Sequence, residues 1–187
     1  MKRICVYCGS TPGEDDAFAA AVQALAATML QRDIGLVYGG ADRGLMGQLA
    51  NAGMDGGGHV TGIIPRAFAH RVAHRGLQEL RVVESMHERK VGMFGAADAC
   101  IALPGDFGTL EEILEILTWA QLGMHTKPCG LLNVGGYYDL LLQFLDHGVG
   151  SGFVKQAHRD LLYVEDDAGA LFDACASHEP KPVDKWD

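Results

Sequence analysis

Ala99-Cys100-Ile101-Ala102-Leu103-Pro104-Gly105-Asp106-Phe107-Gly108-Thr109-Leu110-Glu111-Glu112 carries the fold in miniature. Five apolar residues stop at Pro104-Gly105, and a helical pattern follows from Thr109 to Leu122. An apolar run with no polar alternation reads as a strand buried on both faces. The same grammar repeats on either side. Upstream, strands are expected at Ile4–Cys8, Ile34–Tyr38, His59–Ile64 and Leu80–Val83, with helices at Asp15–Gln31, Gly44–Asp55 and Met86–Ala97. Downstream come strands at Cys129–Leu132 and Leu162–Val164, and helices at Tyr137–Val149 and Ala168–Ser177. This alternation predicts an α/β, Rossmann-like single domain: a parallel sheet with helices on both faces, joined by right-handed crossovers. The domain is expected over residues 1–178, with a polar, mobile tail over 179–187.

The composition agrees. The chain has 187 residues, of which 48% are hydrophobic and 21% charged, enough for a sizeable core in one domain. Its 25 glycines are about twice average usage, which points to tight loops where backbone meets backbone or ligand. A formal net charge of −9 argues against nucleic acid or an anionic membrane as partner. No run is long enough for a membrane span or a signal peptide core, so a cytoplasmic location is expected. The five cysteines are an odd number set in apolar runs, which suits reduced thiols. Cys5 and Cys8 form a C-x-x-C, but on a strand they point to opposite faces and read as structural.

In open sheets of this kind a ligand lies beyond the carboxyl ends of the strands. The first such loop, Cys8-Gly9-Ser10-Thr11-Pro12-Gly13, is not a G-x-G-x-x-G fingerprint, and the chain has no G-x-x-x-x-G-K-[ST]. NAD and ATP are therefore not expected, and neither a cofactor nor a metal is signalled. The second loop, Gly39-Gly40-Ala41-Asp42-Arg43-Gly44, opens a helix whose free N–H groups could hold a phosphate. A tight turn with close helix packing explains its glycines equally well. In the third loop Thr109 is expected to cap a helix, and Thr109-x-x-Glu112 has capping-box spacing. Glu112 is then either a box residue or a carboxylate held beside a bound anion.

Ser85-x-x-Glu88 is a second capping box, so Glu88 reads as structural. Arg89 and Lys90 follow in the first turns of that helix, against the preference of its dipole, which suggests an anionic partner. His70 and His74 read as an exposed pair rather than half a metal site. Trp119, Leu122 and Met124 fit either the core or a homodimer surface.

Together these motifs resemble one family. Gly39-Gly40-x-x-x-Gly44-Leu45-Met46-Gly47, Met86-His87-Glu88-Arg89-Lys90 and Pro104-Gly105-x-x-Gly108-Thr109-x-x-Glu112 are similar to those of the LONELY GUY family, the cytokinin riboside 5′-monophosphate phosphoribohydrolases. The likeness continues through Thr118–Gly123, Lys127-Pro128, Gly130–Asn133 and Gly152-Phe153. It implies a homodimer that hydrolyses the N-glycosidic bond of N6-modified adenosine 5′-monophosphates, releasing base and ribose 5-phosphate. It assigns catalysis to Arg89 and Glu112. Binding of the nucleoside 5′-monophosphate falls to Ser10, Gly39, Gly40, Gly44, Met86, Lys90, Gly105, Gly108 and Thr109. The older label of lysine decarboxylase does not suit these motifs, since no segment marks a pyridoxal phosphate lysine. Rival readings are a nucleotide sensor or carrier without turnover, and a broad nucleoside monophosphate glycosidase. One position departs from the family pattern: Asp106 stands where glycine is usual. Aspartate tolerates positive φ, but its charge repels a phosphate unless it points away or pairs with Arg89 or Lys90.

Overall fold

The computed structural model describes residues 1–179 and 185, so most of the expected tail lies outside the described residues. Seven strands form one all-parallel sheet: β1 (Arg3–Tyr7), β2 (Gly35–Tyr38), β3 (Val60–Pro65), β4 (Glu79–Val83), β5 (Ala99–Ala102), β6 (Cys129–Leu132) and β7 (Leu162–Glu165). Their order is β4-β3-β2-β1-β5-β6-β7. The chain winds outward from β1 to β4, then returns to lay β5 on the other side of β1, with Cys5 opposite Cys100. The crevice at the carboxyl ends of β1 and β5 is thus the topological switch point.

Each face of the sheet buries its own apolar cluster. On one face Ile4, Val6, Leu36 and Ile101 pack against α1 (Asp16–Gln31), α2 (Gly44–Asp55) and α8 (Ala168–Ala176). On the other, Cys5, Tyr7, Val37 and Leu131 pack against α4 (Met86–Gly95), α5 (Phe107–Gln121) and α6 (Asp139–Gly150). Cys5 and Cys8 fall in different clusters, as strand alternation requires. All five cysteines are buried free thiols.

Two helices were not expected: α3 (Arg66–Val72) and α7 (Gln156–Arg159). Both are too short for a periodic apolar stripe, and α3 buries no residue. The exposed histidine pair is also corrected. His74 is buried, its Nε2 lying 3.0 Å from Asn51 Oδ1 while its Nδ1 accepts from the Gly76 N–H. No helix among the described residues is long and apolar enough to cross a membrane.

Candidate active site

The loops after β1, β2, β3 and β5 enclose a cavity of about 660 Å³ at the switch point. Its polar wall holds Arg89 and Glu112, which α4 and α5 bring face to face from 23 residues apart. Ser85 starts α4 by accepting the Glu88 N–H at 3.1 Å, and Glu88 answers by accepting from the Glu84 N–H at 3.0 Å. Glu88 is therefore spent on the cap. The next residue, Arg89, is aimed inward, and its Nη1 donates to Glu112 Oε1. Only 11% and 9% of the two side chains remain exposed, so little water screens the pair. Burial pushes the Glu112 pKa up, and the charge and hydrogen bond of Arg89 partly offset it.

Gly39 makes room for this arrangement. A Cβ there would lie 2.0 Å from Arg89 Nη2. Gly105 similarly admits Thr109, whose Oγ1 would lie 2.1 Å from an added Cβ. Tyr137 and Tyr138 brace the loop by donating to the carbonyls of Gly105 and Leu103 at 2.6 and 2.5 Å.

The expected capping box at Thr109 is corrected. The N-cap of α5 is Asp106, whose Oδ1 accepts from the Gly108 N–H at 3.0 Å. The helix therefore begins earlier, Thr109 is buried inside its first turn, and Glu112 is left for Arg89. Asp106 has φ −92°, so no left-handed turn explains the aspartate, and it pairs with neither Arg89 nor Lys90.

A scan of protein-family models matches residues 46–175 to the family described as "possible lysine decarboxylase". The cytokinin riboside 5′-monophosphate phosphoribohydrolase LOG of Oryza sativa subsp. japonica is 50% identical over 163 residues, covering 87% of this chain and 67% of its own. LOG2 of Arabidopsis thaliana, of the same description, is 47% identical over 185 residues, covering 98% of this chain and 87% of its own. The chain belongs to the LOG family. Among solved structures, the molybdenum cofactor binding protein of Rippkaea orientalis superposes with a TM-score of 0.71 over 95% of this chain and 97% of that one. At 20% identity this likeness shows a shared fold.

The LOG cavity gathers Ser10, Gly39, Met86, Arg89, Gly108, Thr109 and Glu112, all singled out in the sequence. It does not gather Gly40, Gly44, Gly105 or Lys90. Gly40, at φ +75°, packs on Ile63 and Ile64. The N–H groups expected to be free at the start of α2 are not: Leu45 and Met46 both donate to Gly9 O, at 3.1 and 3.4 Å. Lys90 Nζ donates to Glu111 at 2.5 Å and to Glu115 at 3.0 Å. Burial disfavours this ammonium, but bonds from two carboxylates outweigh that and raise its pKa. Lys90 thereby bolts α4 to α5 beside the Arg89–Glu112 pair.

Sequence reading missed Arg43, Arg71 and the apolar wall formed by Met46, Ile64, Phe68 and Val72. Phe68, Arg71 and Val72 ride on the unexpected α3. Arg43 sat in plain view within the second glycine loop, where an exposed cation signals little by itself.

Proposed function

We propose that this protein hydrolyses the N-glycosidic bond of N6-modified adenosine 5′-monophosphates to free base and ribose 5-phosphate. The observation that carries this reading is the buried Arg89–Glu112 pair in the wall of a cavity that is apolar on its other side. Cleavage of C1′–N9 builds positive charge on the ribose. Glu112, in its carboxylate form, stabilises that charge and orients or deprotonates the attacking water. Arg89 offers a fixed fork of N–H donors, so its part is to position Glu112 and to hold the phosphate or the departing base. Ser10 and Thr109 are the hydroxyl donors for the ribose phosphate. The apolar wall suits a purine carrying an alkyl substituent.

Among the described residues no lysine lines the cavity, which speaks against the decarboxylase label. The working form we infer is a cytoplasmic homodimer. The exposed Val91, Leu122, Met124, Leu140, Phe144 and Phe153 on and beside α4, α5 and α6 supply its contact surface. Trp119, by contrast, packs edge-on against Phe94.

The test is product chromatography after incubation with isopentenyladenosine 5′-monophosphate and AMP. Free base from the modified nucleotide, lost in Glu112→Gln, is the expected result. Comparable rates on AMP would widen the substrate class to nucleoside monophosphates at large. Binding of both without any base release would leave a sensor or carrier.

A further inference from the structure

The charges facing the cavity can be followed one by one. Arg89 is engaged by Glu112, and Glu111 by Lys90. Arg43 and Arg71 line the same cavity and have no ion pair among the described residues. Asp106 is the remaining acid. Its Oδ1 accepts from the Gly108 N–H at 3.0 Å, and no other partner engages the carboxylate among the described residues.

A helix start that opens on a cavity with guanidiniums nearby attracts an anion. Here the chain supplies that anion itself. A phosphate that reaches for the Gly108 N–H meets a fixed negative charge within hydrogen-bond range, and like charges repel. It keeps Thr109 and the two uncommitted arginines as partners. A neutral 5′-hydroxyl meets no such repulsion, because it can donate to the carboxylate.

We propose that Asp106 is a specificity-determining residue that narrows the preference of the site for a 5′-monophosphate over the corresponding riboside. This rests on the reading above, in which a ribonucleotide fills the cavity with its 5′ end toward the start of α5.

Calorimetric titration of the whole chain with AMP and with adenosine tests this without requiring turnover. The quantity read is the ratio of the two dissociation constants in wild type, Asp106→Asn and Asp106→Gly. Asparagine is as good an N-cap as aspartate, so the first variant removes charge and keeps the helix start. The preference for AMP is expected to rise about fivefold in Asp106→Asn and about tenfold in Asp106→Gly, which also frees the Gly108 N–H. A residue that merely caps the helix changes both affinities together. A ratio within about twofold of wild type in both variants therefore overturns the proposal. Base release is followed in the same samples. Its absence with wild type defeats the glycosidase reading, while the affinity ratio still decides the role of Asp106. Failure of the wild type and both variants to bind either ligand overturns both.

Discussion

Helices α2 and α5 begin alike and end up with different work. Each follows a strand and a glycine-containing loop at the carboxyl edge of the sheet, and each reads in sequence either as a structural turn or cap or as an anion site. At α2 that site is filled by the protein. Gly9 O takes the first N–H groups, and Gly44, at φ +52°, is pressed so close that a Cβ would lie 2.3 Å from the backbone carbon of Ser10. At α5 the helix start opens on the cavity, with Glu112 one turn further along. A glycine reports that something comes near the backbone, and only the fold says whether that is another loop, an arginine or a ligand.

This contrast can be broken at either helix. The largest effect is expected from Glu112→Gln, which preserves shape and removes the charge proposed to stabilise the ribose cation. Base release should fall about a thousandfold, with the fold intact by circular dichroism. Gly39→Ala comes next. Its new methyl collides with the mobile end of Arg89, so the side chain yields and the backbone stays. A displaced Arg89 should lower kcat/KM about a hundredfold with little change in Tm. Gly44→Ala should act first on stability. Its methyl meets the backbone of Ser10 and Thr11, which cannot swing aside, in a conformation that L residues rarely adopt. Urea unfolding should show a loss of about 2 kcal/mol. Equal behaviour of the two alanine variants would mean that the second loop is one functional unit after all.

The same contrast explains what the sequence could convey. Strand and helix order was legible because apolar runs of three to six residues alternating with helical patterns leave few other options. Arg89 and Glu112 were legible through the motifs that hold them, whereas capping spacing pointed the wrong way at Thr109. The spacing T-x-x-E is satisfied equally by a box starting at Thr109 and by a helix already begun at Asp106, and only the second leaves Glu112 free. Lys90 was misjudged for a similar reason. A cation in a first turn looks unpartnered along its own helix, and its partners Glu111 and Glu115 come from a helix 21 and 25 residues away. Arg71 and Phe68 were invisible because α3 is too short to show a period.

The smallest expected effect is a displacement of the pH profile, and it separates the two helices most cleanly. Glu112 is buried, which favours its neutral form, and Arg89 only partly restores the charged one. The net direction is upward. In the proposed mechanism the carboxylate is the working form, so activity is present above this raised pKa and lost as pH falls through it. The acid limb of kcat/KM for base release should therefore stand above the ordinary carboxylate range. Gly39→Ala moves Arg89 away and removes part of what holds the pKa down, so its limb should move further up. Gly44→Ala acts on the packing of α2 against the first loop, away from this pair, and should leave the limb where wild type has it. A limb in the ordinary range would remove Glu112 as the titrating group. A limb that shifts equally in both variants would mean that α2 and α5 are coupled through the loop between them.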